Sequence, residues 1–326
     1  MAATQYEHFT TQALADGVYA AIVTPTGAAA ANSGIVVLGD RTVVFDTTAT
    51  VTAGRELRRI AADLTGLPVS HVIISHPHPD HVHGNVAFAA DATLIAAEGT
   101  GRAMAETGLQ LMAGFRQQIA GAIQGVEATL AAVTSGAQGE ASPEQAAAHA
   151  EQRAALLADL QSGRAFMEGF PSPADYRLPH LTFTDELALH GGGRIAQVIA
   201  CGEAHSEGDA VLYLPEERVL FAGDLVAEGN LIFRYGNPER WLQVLDRLDG
   251  LGPEVLVPGH GQVLPARAAI DRARQYITGF LREMKEAVAN GATEAYAAAV
   301  TVPEGLDEFW YRDNVKALIR RLSAAS

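Results

Sequence analysis

The chain reads as an α/β protein with two sheet-forming halves and a helical hairpin inserted between them. Three observations carry that reading. Short runs rich in Val and Ile, separated by turn residues, fill residues 17–75 and have the length and composition of strands. Residues 98–170 change to long Ala-, Gln- and Glu-rich stretches that imply helices. From residue 181 strand character returns, and from residue 265 helical spacing takes over.

In order, GVYAAIVTP, NSGIVVLG and RTVVFD predict the first strands. Residues 51–64 carry apolar positions at helical spacing, and after Pro68 the run HVIIS, ending at Ser75, predicts a further strand. In the Ala-rich region, Ser142 as N-cap, Pro143 at the first helical position and Gln145 at the third form a capping-box pattern, with SGAQG as the turn before it. LTFT, ELALH, RIAQVIACG, AVLYLP and RVLFAGD predict a second sheet, with GGG and PEE as turns. A helix over residues 238–248, the strand EVLVPGH, a long helix over 265–289 and a last helix over 306–322 complete the chain.

With 326 residues there is room for two average domains or for one large α/β unit. Hydrophobic residues make up 48% and charged residues 19%, which suits a folded enzyme rather than a disordered chain. Acidic residues number 38 against 23 basic ones, a net charge of -15, and no basic run exceeds the pairs Arg58–Arg59 and Arg320–Arg321. The average field therefore repels nucleic acid and anionic membranes, and a small molecule is the expected partner. The single cysteine, Cys201, allows no intramolecular disulfide. The opening MAATQYEHFTTQ lacks a basic segment followed by an apolar one, and no apolar run is long enough for a bilayer, so a cytoplasmic location is expected.

Directly after the strand HVIIS comes HPHPDHVHGN, a polar segment where α/β folds put chemistry, beyond the carboxyl end of a strand. His76, His78, Asp80 and His81 offer four metal-ligating side chains in one tight turn. Imidazole suits zinc, iron and other first-row divalent ions, and a carboxylate adds charge for a second ion. In an extended segment positions 76 and 78 face one way, while 80 and 81 can turn to the other, so one loop can feed two adjacent metals. Further on, AHSEGD supplies His205, FAGD supplies Asp224 and VPGHG supplies His260, each at or just beyond a strand end.

This pattern resembles the metallo-β-lactamase superfamily, specifically its dinuclear hydrolases of the glyoxalase II and lactonase-like branch with the HxHxDH signature. The resemblance implies an αββα sandwich, here with the inserted helical hairpin and a C-terminal helical extension, and the site at the edge where the sheets meet. It implies one domain over residues 1–326, with the insertion at 98–170 and C-terminal helices at 265–326. It implies that His76, His78 and His205 hold one metal, that Asp80, His81 and His260 hold the other, and that Asp224 bridges them. Asp46, which ends RTVVFD, matches the family's first motif, an Asp that supports the metal loop without binding metal. Two divalent ions are implied, zinc first, with iron or manganese as alternatives. Such ions ~3.5 to 4 Å apart lower the pKa of a shared water toward neutrality and polarise a carbonyl, so no catalytic serine or cysteine is needed. Asp80 or a metal-bound water is the candidate to shuttle the proton.

Other residues have plainer readings. His83 is a substrate contact or a polar residue at a helix start. His8, His71, His149, His180 and His190 lie apart from the motifs and read as structural or solvated. Cys201 reads as a small buried apolar side chain. The insertion is either a lid over the metals or a surface for packing and homodimer formation. Phe166, Met167 and Phe170 line a substrate pocket or form a core stripe. Asn230, Arg234 and Tyr235 follow a ligand-bearing strand and are candidate substrate contacts.

The fold does not select a substrate. Hydrolysis of a carboxylic ester-type bond, a thioester or lactone, is the leading expectation. Against β-lactam hydrolysis stand Asp224, where those enzymes usually differ, and the missing export signal. Acidity argues against nucleases. An iron-dependent redox protein and a non-catalytic metal-binding partner protein are the alternatives from other classes.

Overall fold

The computed structural model describes residues 6–25, 27–136 and 142–324. The strands are β1 (Phe9–Ala15), β2 (Val18–Val23), β3 (Ser33–Leu38), β4 (Arg41–Phe45), β5 (Val69–Ile74), β6 (Thr93–Ala97), β7 (Leu181–Phe183), β8 (Glu186–Gly191), β9 (Arg194–Gly202), β10 (Asp209–Leu214), β11 (Val219–Gly223), β12 (Val255–Pro258) and β13 (Leu264–Pro265). The helices are α1 (Val51–Thr65), α2 (Pro79–Val82), α3 (Glu98–Glu106), α4 (Gly108–Gly136), α5 (Pro143–Glu168), α6 (Pro238–Gly250), α7 (Ala266–Ala289), α8 (Tyr296–Ala299) and α9 (Glu308–Ala324).

Strands β1 to β7 form one sheet in sequence order, antiparallel as far as β4 and parallel from β4 to β7. The second sheet runs β13-β12-β11-β10-β9-β8, antiparallel except for the parallel pair β11 and β12. Alternation along the strands sorts the core into layers. Leu212 and Leu214 of β10 and Val219 and Phe221 of β11 face Val36, Val43, Phe45 and Ile73 of the first sheet. Val211, Tyr213 and Leu220 point outward, against Trp241, Leu245, Ile270 and Ile277 of α6 and α7. On the far side Leu57 and Ile60 of α1 cover Val44, Val72 and Ile74. The result is the αββα sandwich that the motif implied. At its centre Phe221 lies against Gly34, where an added Cβ would come within 2.6 Å of the ring.

Three strands escaped the sequence reading: β1, β6 and the two-residue β13. β1 has only one buried residue, so it shows no alternation, and β6 is a short run, TLIAA, just before the helical region. A further departure concerns LTFT, expected in the second sheet: β7 pairs in parallel with β6 and closes the first sheet. The helical excursion therefore connects two strands of one sheet, as parallel pairing requires of any crossover. It contains three helices, because α3 precedes the expected hairpin of α4 and α5. The capping box forms as read, with Ser142 and Gln145 bonding reciprocally. The SGAQG turn lies outside the described residues from residue 137 onward. The last helix runs two residues later than expected at each end, with the short α8 before it.

Close backbone contacts help to set the loop bearing His76 to His81. Gly84, in the 3₁₀ turn His83–Ala87, sits against α1, and a Cβ there would lie 1.9 Å from the carbonyl oxygen of Thr47. Both groups are backbone and neither can swing aside. Gly84→Ala is expected to lower stability by about 1–3 kcal/mol, seen as a lower urea midpoint at unchanged slope; an unaltered midpoint would show that the loop tolerates displacement.

Candidate metal centre

Four strands deliver the site from their carboxyl ends. β4 ends beside Asp46, β5 leads into His76, β11 into Asp224 and β12 into His260. The turn between β9 and β10 adds His205. Asp46 is fully buried at φ 60, a left-handed conformation that Asp tolerates better than most residues. Its carboxylate accepts from the Ser75 backbone N–H at 2.7 Å and the Ser75 hydroxyl at 2.7 Å, and its Oδ2 lies 2.8 Å from His81 Nδ1. Next to it, the Thr47 hydroxyl donates to Asn85 Oδ1 at 2.8 Å. Asp46 thus fixes the backbone before His76 and the ring of His81 at once.

All seven side chains singled out in the sequence converge. Ligand atoms of His76, His78, His205 and Asp224 lie within 4.8 Å of one another, and so do those of Asp80, His81 and His260. Asp224 faces both sets. Its Oδ2 is 3.5 Å from His205 Nε2 and 3.9 Å from His76 Nε2, while its Oδ1 is 3.3 Å from both His81 Nε2 and His260 Nε2. Asp80 Oδ2 reaches His260 Nε2 at 3.3 Å and His81 Nε2 at 3.6 Å.

Whether these residues suit cations can be tested on their unpaired atoms. His76 Nε2, His81 Nε2 and Asp224 Oδ1 are buried without a hydrogen-bond partner, and all three point into the cluster. A buried polar atom left unsatisfied costs about 1–3 kcal/mol, so three in one place call for something that binds lone pairs. The charge states of His76 and His78 agree. Burial holds the His78 imidazole down at about 3, and burial with the neighbouring His81 holds His76 well below its usual value, so both rings are neutral donors. Burial also disfavours charge on His81 and His260, but the Asp224 and Asp80 carboxylates outweigh it, with Asp46 adding to the effect on His81. His81 is held well above its usual value, and His260 is pushed up to about 10. Asp224 and Asp80 are held below the carboxylate range: burial opposes this, but His81 and His260 prevail. Neutral imidazoles on one side and ionised carboxylates at the centre make a nitrogen and oxygen donor set for divalent first-row ions, and on the other side a cation would take the place of the protons on His81 and His260.

A cavity of about 930 Å³ opens onto His78, Asp80, His205, Asp224 and His260. Leu111 and Phe115 of α4 form one wall of it, Asn230, Arg234 and Tyr235 another, and Phe309 and Trp310 of α9 a third. Tyr235 packs beside His78, with ring centroids 5.1 Å apart. Phe166 and Phe170 instead belong to a small buried cluster with Met112, which settles them as core. His83 joins that cluster: its Nδ1 is 3.1 Å from the Ala49 carbonyl, its ring meets Phe170 at 5.0 Å, and burial lowers it to about 4. His8 and His180 are tied to backbone N–H groups at 3.0 and 3.1 Å. Burial pushes the Cys201 thiol up to about 12, far from a reactive thiolate.

Three supporting residues went unread in the sequence. Asn32, buried just before β3, donates to the carbonyls of Pro258 at 3.0 Å and Gly261 at 2.8 Å, clamping both sides of His260. Glu228 grips the same turn through the Gln262 N–H at 2.7 Å. The buried Asp209 accepts from the N–H groups of Ala204 and Ser206 and from the Ser206 hydroxyl, which shapes the turn around His205. AHSEGD contained the last signal, an Asp four residues beyond the His; the other two depend on contacts no local pattern reveals.

The model of one protein family, described as the metallo-beta-lactamase superfamily, matches residues 26–260, more than half of the chain. A comparison with curated proteins found no match. Among solved structures, a metallo-beta-lactamase from Pontibacter korlensis is similar at 17% identity and TM-score 0.57, over 83% of this chain and 99% of that one. The stereoselective inverting sec-alkylsulfatase Pisa1 from Pseudomonas sp. is similar at 20% identity and TM-score 0.64, over 96% of this chain and 50% of that one. The metallo-beta-lactamase FIM-1 from Pseudomonas aeruginosa, in its mono-zinc form, is similar at 14% identity and TM-score 0.55, over 83% of this chain and 96% of that one. The chain belongs to the metallo-beta-lactamase superfamily, whose members are predominantly metal-dependent hydrolases. No helix among the described residues is long and apolar enough to cross a membrane.

Asp46→Asn keeps the left-handed backbone but removes one of the carboxylate's charged acceptors beside Ser75 and His81. Zinc affinity is expected to fall about 10–100-fold, measured by competition with a chelating dye; unchanged affinity would show that Asp46 does not orient His81.

Proposed function

We propose that this chain is a dinuclear metallo-hydrolase that cleaves a carboxylic ester-type bond, in a lactone or a thioester. The observation that carries the reading is the Asp224 carboxylate, whose two oxygens each face a different set of imidazoles. His76, His78 and His205 would hold one cation and Asp80, His81 and His260 the other, with Asp224 between them; zinc fits this donor set best. When bound, the cations supply the positive charge that ionises water near neutral pH and stabilises a developing oxyanion.

The protein's own residues position this chemistry. Asp46, Asn32 and Asp209 fix the ring of His81 and the turns carrying His260 and His205. Asp80 lines the cavity as well as the cluster, so its carboxylate is placed to carry a proton toward the leaving atom. Tyr235, beside His78 and 43% exposed, presents a phenol to the same space. The helices α3, α4 and α9 narrow access to the centre and limit bulk water, which strengthens every electrostatic contact inside.

A second reading, hydrolysis of an alkyl sulfate ester, is favoured by the similarity to the alkylsulfatase over 96% of this chain, a span that includes the helical regions. Zinc-loaded protein assayed against lactones, thioesters and secondary alkyl sulfates separates the two, by carboxylic acid or sulfate released. The expected result is release of carboxylic acid, with Asp224→Ala reducing kcat/KM by about a thousandfold, or ~4 kcal/mol of transition-state stabilisation. Sulfate release alone selects the second reading. Full activity in Asp224→Ala contradicts both.

A further inference from the structure

The cavity's walls carry information about the part of the substrate that does not react. Its larger apolar side chains include Leu111 and Phe115 on α4, Ile232 in the segment after β11, and Phe309 and Trp310 on α9. Phe309 is 57% exposed and Tyr235 43%, two of the few large hydrophobic side chains left open to solvent among the described residues, and both line this one cavity. Large apolar groups exposed together mark a surface that is covered in use.

Charge points the same way. Among the described residues lining the cavity, Arg234 is the only arginine or lysine. Its guanidinium is held in a two-pronged pair with Asp313 on α9, at 2.8 Å and 2.6 Å, which leaves its charge neutralised. Glu207, Glu228 and Asp307 stand on the same walls. Away from the metal-binding floor, an anionic carrier such as a phosphate-bearing thiol, or an arm ending in a carboxylate, would meet three carboxylates on the walls and no free arginine or lysine among the described residues.

We infer that the substrate's non-reacting arm is uncharged and apolar, an alkyl chain or aryl group lying between Leu111 and Phe115 on one side and Phe309 and Trp310 on the other. This rests on the reading of the cavity as the substrate site, and it narrows that reading to neutral hydrophobic esters or lactones and excludes polyanionic thioesters. Asp313 is then a specificity-determining residue, because it cancels the one arginine on the walls that would recruit an anion.

Binding can be measured apart from turnover, by calorimetry of metal-loaded protein with N-alkylacetamides of four to eight chain carbons and with the same amides ending in a carboxylate. Affinity is expected to rise about threefold for each added methylene and to fall at least about tenfold when the chain ends in a carboxylate. Phe309→Ala, at an exposed position, should flatten the dependence on chain length. Asp313→Asn, which keeps the side chain's shape but frees Arg234, should strengthen binding of the carboxylate probes several-fold and leave the neutral ones unchanged. Carboxylate probes that bind as well as neutral ones, or affinity independent of chain length, would overturn the inference. Chain-length dependence without cleavage of any ester, lactone or thioester would instead sink the proposed function and leave the inference standing.

Discussion

Everything at the centre of this fold is arranged around a carboxylate that serves two groups of imidazoles. Asp224 has one oxygen toward His205 and His76 and the other toward His81 and His260, and its Oδ1 is buried with no hydrogen-bond donor. Burying an ionised carboxylate is costly, and at Asp224 nearby imidazoles offset that cost. Cations between the two groups would convert that cost into binding energy, which is folding energy as well. The sandwich exists around this constraint: the ends of β5, β11 and β12 and the turn after β9 have to meet, and two facing sheets bring them to one edge.

The centre was legible in the sequence because its donors are dense and sit at strand ends. His76, His78, Asp80 and His81 fall within six residues, and Asp224 and His260 each follow a run of apolar residues that could only be a buried strand. The layers were legible for a related reason, since strands such as β10 and β11 are buried on both faces. β1 was not, because an edge strand with one buried residue has no pattern to read. The partner of β7 was hidden too: which sheet a three-residue strand joins depends on where a long helical excursion returns it. Asn32 is more than two hundred residues from the turn it clamps, and nothing near it in the chain announces that task.

The walls of the cavity divide the work differently from its floor. The floor comes from the sandwich, where a misplaced ligand would lose the cations. The walls come from α3, α4, α9 and the segment after β11, laid onto the sandwich outside the donor set. α4 carries only Arg116 and Glu127 as charged residues over its 29 residues, an unusually neutral face to set above a charged centre. Superfamily chemistry and substrate choice are thus encoded in different parts of the chain, which is why ligand motifs identify the first and leave the second to the structure.

The most direct test is diffraction from crystals grown with zinc, recorded on either side of the zinc absorption edge. Two anomalous peaks about 3.5–4 Å apart are expected, one beside His76, His78 and His205, the other beside Asp80, His81 and His260, with Asp224 touching both. A single peak, or zinc found only at surface carboxylates, would contradict the account.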